Sequence, residues 1–119
     1  MVDAETFRSL ALAYKEVVEQ PHFDKTSFRV RKKIFATLDV GQRKAVLKLS
    51  EIDQSVFCSW GTMFHPVRGA WGKKGWTEVE LDLVSDEMLQ DALTIAFCTV
   101  AQETLCKSYR NNNTQEQNI

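Results

Sequence analysis

Between Ser27 and Leu49 the apolar positions follow the two-residue alternation of half-buried strands. Phe28 and Val30, then Ile34 and Ala36, then Val46 with the Leu47/Leu49 pair recur at this spacing with basic residues between them, the pattern of strands with one face on a core. Three consecutive antiparallel strands are predicted here, the first two joined at Arg31 to Lys33. Side chains alternate between the two faces of a strand, so Arg29, Arg31 and Lys33 are expected to point away from the core together.

On either side the spacing is helical. Asp3 to Val18 reads as a first helix with Asp3 as N-cap and a stripe of Phe7, Leu10, Ala11, Tyr14, Val17 and Val18 facing the sheet. Pro21 is expected to end it, and His22-Phe23-Asp24 to lead into the first strand. After the third strand, Ser50-Glu51-Ile52-Asp53 has the form of an N-cap followed by acids, and predicts a short helix over 51–59. Thr62 to Pro66 reads as a loop. Val67 to Trp71 and Trp76 to Leu83 read as two strands joined across Gly72-Lys73-Lys74-Gly75. In the second of these, Trp76, Glu78, Glu80 and Asp82 share one face, and Val79, Leu81 and Leu83 the other. Ser85-Asp86-Glu87 then opens a last helix over 86–109. The predicted fold is α+β: two layers, a five-stranded antiparallel sheet with helices on one face, in the order α-β-β-β-α-β-β-α. Phe7, Leu10, Phe28, Val30, Ile34, Leu47, Leu81, Leu93 and Val100 are its expected core.

The chain has 119 residues, 44% of them hydrophobic, the size and composition of one domain, which is expected to span 1–110. The remaining NNNTQEQNI has almost nothing to bury and is expected to be a disordered tail over 111–119. The N-terminus carries acids where a secretory signal carries lysines, and no apolar run approaches the roughly 18 residues of a membrane span. A soluble, cytoplasmic monomer with no membrane partner is expected. Cys58, Cys98 and Cys106 form no Cys-x-x-Cys pair. On one continuous helix Cys98 and Cys106 would stand about 12 Å apart along the axis, beyond the roughly 7 Å limit of a disulfide, so three buried thiols are expected.

The near-neutral net charge of −1 conceals an uneven distribution. From Lys25 to Trp76 there are eleven basic residues against three acids, a local charge of +8, while the flanks hold four basic and thirteen acidic residues, or −9. Positive potential is therefore expected on the strands and turns, where it attracts phosphates over about a Debye length of 8–10 Å. The competing reading is a solvated sheet face whose charges discourage edge pairing. Glu78, Glu80 and Asp82 would neutralise part of the patch if their strand lay beside Arg29 or Arg31. Trp60, Trp71 and Trp76 with Phe64 cluster around the second predicted hairpin. Exposed rings beside Lys73 and Lys74 would make a stacking platform for unpaired bases, whereas rings pinning a hairpin would be structural. Trp76 is assigned the structural role and Trp71 is left open.

His22, Asp24, Cys58 and His65 are the residues from which a metal or catalytic site would have to start, and their separations match no ligand spacing. No nucleophile motif such as G-x-S-x-G is present. No catalytic residues, metal or cofactor are expected, and His22 is expected to be a turn residue bonded to nearby backbone.

The segments PHFDKTSFRVRKKIFATLD and GAWGKKGWTEVELD, in this order and spacing, resemble the MmcQ/YjbR family of small bacterial proteins, from the first helix to the last. The resemblance implies this helix and strand order, in a fold similar to type III secretion chaperones and to the double wing of a phage transcription factor, and it implies DNA binding, the activity commonly ascribed to the family. Combined with the charge distribution, the contacts expected are basic hairpin turns on phosphate, carried by Arg29, Arg31, Lys32, Lys33, Arg68, Lys73 and Lys74. Binding would be weak and without strong sequence preference. The alternative is a protein-interaction or chaperone-like module that uses the sheet face or an edge strand. The family's first hairpin turn often has glycine where this chain has Lys32. Lysine does not take positive φ freely, so a type I turn with a bulge, or a longer turn, is expected there.

Overall fold

The computed structural model describes residues 1–109. The element order is α1 (Ala4–Leu12), β1 (Val17–His22), β2 (Lys25–Val30), β3 (Lys33–Asp39), β4 (Lys44–Lys48), α2 (Glu51–Cys58), β5 (Phe64–Pro66), α3 (Ala70–Lys73), β6 (Trp76–Glu80) and α4 (Asp86–Val100). All six strands pair antiparallel in one sheet, in the spatial order β1-β2-β3-β4-β6-β5. The fold class is α+β as expected, with six strands where five were predicted. The caps are those read from the sequence: the side chains of Asp3, Ser50 and Ser85 accept from the backbone N–H of Thr6, Asp53 and Met88, each satisfying an orphan donor of a first helical turn.

The additional strand lies where the first helix was extended too far. α1 stops at Leu12, and Glu16 adopts φ +64°, turning the chain so that Val17 and Val18 enter β1. Pro21 sits within this strand opposite Thr26. β1 is an edge strand, where a residue without an N–H costs no ladder hydrogen bond.

The second predicted hairpin is also revised. Phe64–Pro66, read as a loop, is the short edge strand β5, with Phe64 buried against the core. Val67 to Trp71, read as a strand, leads instead into the helical turn α3. Two glycines account for this. A side chain on Gly72 would meet the Val67 carbonyl oxygen, and one on Gly75, which has φ +101°, would meet that of Leu49, each at 1.8 Å. The close approach they permit folds 67–75 down onto the end of β4. Gln54 of α2 clamps it there, its amide donating to the carbonyls of Gly72 and Trp76 and to the Thr77 hydroxyl at 3.0–3.1 Å.

α1, α2 and α4 lie on one face, over a core of Phe7, Phe28, Val30, Phe35, Ala36, Leu38, Leu47, Val79, Leu89, Leu93 and Phe97. The register of β2 against β3 shifts at Phe28/Arg29, so that Phe28 opposes Ala36 and Arg29 opposes Ile34. Phe35 is the extra residue of this bulge. It is fully buried, edge-on to Phe97 with ring centroids 5.7 Å apart. Ile34, expected in the core, is thereby moved to the opposite face beside Arg29. Leu10 and Val100, also assigned to the core, are partly buried at its margin.

The last helix ends at Val100, and Ala101 is extended with ψ 152°. Residues 103–109 form a separate helical segment that doubles back, bringing the Cα atoms of Cys98 and Cys106 to 5.1 Å, and a disulfide joins them. The expectation of three thiols rested on one continuous helix and fails with it; Cys58 alone is free, its thiol pushed up by burial. The returning segment seats Tyr109 against Tyr14 and Phe97, and the Tyr109 hydroxyl accepts from the Lys15 N–H at 3.2 Å. The expected tail at 111–119 lies outside the described residues.

Candidate nucleic-acid interface

The face of the sheet away from the helices divides into two halves. Toward the β3–β4 turn Arg43, Lys44 and His65 are paired with acids, while Lys25, which lines a recess together with Lys44 and Glu78, makes no ion pair among the described residues. Lys44, opposite Glu80 on β6, has its ammonium 3.0 Å from Glu78 and 3.7 Å from Glu80, and these carboxylates raise its pKa, chiefly through the hydrogen bond to Glu78. Arg43 pairs with Asp82 at 2.8 Å. Glu78 and Glu80 of β6 and Asp82 just after it thus neutralise Lys44 and Arg43, where Arg29 or Arg31 had been considered.

His65 of β5 joins the same group, its Nε2 2.8 Å from Glu80 and 3.9 Å from Glu78. His65, Glu78 and Glu80 are the trio of described residues whose ligand atoms lie close enough for an ion, all within 4.8 Å. Sequence spacing did not reveal this trio, because His65 and the two acids meet only through the pairing of β5 with β6. The Lys44 ammonium already supplies a cation to both carboxylates, and a divalent ion would have to displace it. His22 and Asp24 are at the far hairpin and do not converge with His65.

The opposite end of the sheet collects the candidate site residues. Val30 pairs with Lys33, so the first basic turn is the two-residue loop Arg31-Lys32, with φ +49° and +72°. Positive φ at both positions makes it a type I′ turn, whose twist matches the flanking strands. The expectation of a longer or bulged turn is not met, and two non-glycine residues hold the strained conformation. Ala36 pairs with Leu47 and Lys48 with Trp76, which places the end of β4 and the start of β6 beside that turn. Lys48 donates a hydrogen bond to the Lys74 carbonyl, and the N–H of Val67 to the Trp76 carbonyl at 3.0 Å. Lys32, Lys33, Lys48, Arg68, Lys73 and Lys74 therefore stand at one end of the sheet. The two basic turns are about 10–15 Å apart, at roughly 4.8 Å per strand. Among the described residues none of these six makes an ion pair.

Arg29 and Arg31 behave differently from each other and from that group. Arg29 lies on the open face, and its Nε donates to the Ser27 hydroxyl at 2.9 Å. Arg31 turns back toward the helix side, where it pairs with Glu16 at 3.0 Å and also hydrogen-bonds Gln102. The hydrogen bond from Arg31 holds the Glu16 carboxyl below its ordinary range. Arg29, Arg31 and Lys33 thus do not leave the core side together.

The aromatic cluster separates as well. Trp60 packs on Phe57 at 4.6 Å, at the other end of α2. Trp71 and Trp76 meet edge to face at 6.0 Å, with the Lys74 ammonium 5.7 Å from the centre of the Trp71 ring and that of Lys48 5.5 Å from Trp76. Beside them is a cavity of about 420 Å³ on the open face, lined by His22, Phe23, Lys25, Ile34, Thr37, Val46, Val67, Trp71 and Trp76. His22, which opens the Phe23-Asp24 turn by pairing with Lys25, lies edge-on to Phe23 in this wall.

An antiparallel sheet with helices on one face and a basic, tryptophan-bearing end on the other defines an α+β protein with an open sheet surface. The sequence model of the YjbR family matches residues 12–99, and the chain belongs to that family. A crystal structure of Deinococcus radiodurans protein DR2400, described as carrying a DUF419 domain, is similar in fold, with a TM-score of 0.75 and 21% identity over 94% of this chain and 88% of that one. No curated protein matches. Among the described residues no helix is long and apolar enough to cross a membrane.

Proposed function

We propose that this YjbR-family chain is a cytoplasmic nucleic-acid-binding module, acting without catalysis, that contacts phosphates through the basic end of its sheet. One observation carries this reading: Arg8, Arg31, Arg43 and Lys44 are each held by a carboxylate, whereas Lys32, Lys33, Lys48, Arg68, Lys73 and Lys74 are left without one among the described residues and stand together at one end; Lys15, Lys25, Arg29 and Lys107 have no ion pair there either, and are not part of that group. The family resemblance implies DNA in the same sense. Arg31 is removed from the proposed contact set, and Lys48 is added.

The edge-strand version of the protein-interaction alternative draws little support from the sheet, because both edges are blunted. β1 carries Pro21, and β5 is three residues long and ends in Pro66, devices that discourage strand addition. Duplex DNA titrated at low salt should bind by tens of micromolar protein. About four phosphate contacts would give a slope near −3.6 in log affinity against log salt, at about −0.9 per contact. No binding in that range overturns the proposal.

A further inference from the structure

The cavity on the open face is not explained by phosphate contacts, and its apolar lining is unusual for a sheet surface that no core covers. Ile34, Thr37 and Val46 form its floor. The tip of the β1–β2 hairpin, with Phe23 and Lys25, borders one side, and Val67, Trp71 and Trp76 the other. Phe23 is 94% exposed and Trp71 62%, so two large rings are kept in water at the mouth of an apolar recess. Exposing rings of this size forgoes the stabilisation that burial would bring. Neither ring is needed to close the core, which is filled from the other face. The volume lies within the roughly 300–1,000 Å³ of small-ligand sites, enough for a ring system and too small for a folded partner.

The charges select among ring-bearing ligands. No carboxylate lines the recess, and Lys25 is part of its wall. The ammonium of Lys74 lies over Trp71 and that of Lys48 over Trp76, so each indole carries its own cation within the span of a single nucleotide. A flat apolar surface with ammonium groups at its margin complements a planar base attached to a phosphate. In a duplex the bases are stacked on one another, and their faces cannot enter such a recess; in a single strand they can.

We propose that the recess bounded by Phe23, Trp71 and Trp76 takes an unpaired base of single-stranded nucleic acid, with Lys48, Lys73 and Lys74 on the adjoining phosphates. The inference rests on the nucleic-acid reading above and adds the state of the strand. Recognition through ring faces would be tolerant of sequence, because every base has a face to stack.

The test compares three labelled probes by fluorescence anisotropy at one low salt concentration: oligo(dT), an abasic strand of the same length, and a duplex of that length. Oligo(dT) should bind about 5- to 150-fold more tightly than the abasic strand, the range expected for stacking one base. Trp71→Ala should abolish that preference while leaving the abasic strand and the duplex unchanged, and Trp71→Phe should restore most of it. Because Trp71 is exposed, the variant should fold, and Phe23→Ala gives a second variant at the opposite wall. Equal binding of all three probes overturns the base-binding recess and leaves the phosphate reading intact. A base preference that survives both variants removes it from this recess. Failure of every probe to bind overturns both proposals together.

Discussion

The two faces of this sheet are built from the same strands and have opposite fates. On the covered face Phe28, Val30, Ala36, Leu38, Leu47 and Val79 are sealed under α1 and α4. On the open face Ile34, Val46 and Trp76 remain partly in water, among Lys44, Glu78 and Glu80 on one side and unpaired lysines on the other. The covered face is a stability device whose composition follows from burial alone. The open face is not, since one part of it is neutralised by ion pairs and the other keeps cations that have no carboxylate partner among the described residues, beside partly exposed rings. That division, more than the net charge of any segment, distinguishes a surface that is merely solvated from one available to a ligand.

The sharpest way to break the comparison is to truncate one large side chain on each face. Leu93→Ala, under the covered face, should cost about 2–5 kcal/mol, a large part of the stability of a domain this size. Trp71→Ala, on the open side, should stay within about 0.5 kcal/mol of the parent. Thermal melts of the two variants measure this, and equal losses would show that Trp71 belongs to the core.

The disulfide comes next in size. Cys98 and Cys106 close a short loop, eight residues apart, for which the chain-entropy relation gives about 2–3 kcal/mol. Replacing both with serine should lower the melting temperature and loosen Tyr109 from Tyr14, seen as a change in near-ultraviolet circular dichroism. Reductant should do the same to the parent and nothing further to the variant. A parent indifferent to reductant would mean that the bridge contributes nothing in solution.

The smallest effect concerns Arg31. The Glu16 carboxyl is held below its ordinary range by the Arg31 guanidinium. A carboxyl depressed in the folded state contributes stability above the unfolded pKa, and that contribution is lost as pH falls through the folded value. Glu16→Gln should therefore leave a slightly flatter acid limb in a stability profile taken below pH 5. Because the pair is exposed, the effect should be small, and an unchanged limb would show that the pair is not formed in solution.

The sequence made the helix caps, the core side of β6 at Val79 and of Leu81 just after it, and the two-layer arrangement legible, because these depend on local periodicity and on residues three positions apart; Leu83, read onto the same core side, lies further beyond the end of β6 and is 54% exposed. What it hid depends on distant partners. β1 was masked by Pro21, which reads as a helix stop unless the strand is known to be an edge. The bulge at Phe35 exchanged Ile34 for a second buried ring without disturbing the alternation visible in sequence. α3 follows from two carbonyl contacts of Gly72 and Gly75 that no spacing rule contains. The break at Ala101 that allows the disulfide carries neither glycine nor proline. Of the candidate site, Lys32, Lys33, Arg68, Lys73 and Lys74 stand at one end of the sheet. Arg31 is lost to Glu16, fifteen residues earlier, and Lys48 is gained through its pairing with Trp76.

The central claim is that the unpaired lysines at one end of the sheet, and not the paired cations elsewhere, meet the phosphates. The salt dependence of DNA affinity, measured for the parent, for Lys73→Ala/Lys74→Ala and for Arg31→Ala, tests it most directly. The account predicts that the double variant flattens the slope by about two units, one per lost contact, while Arg31→Ala leaves it unchanged. A slope that flattens with Arg31→Ala and holds in the double variant would contradict it.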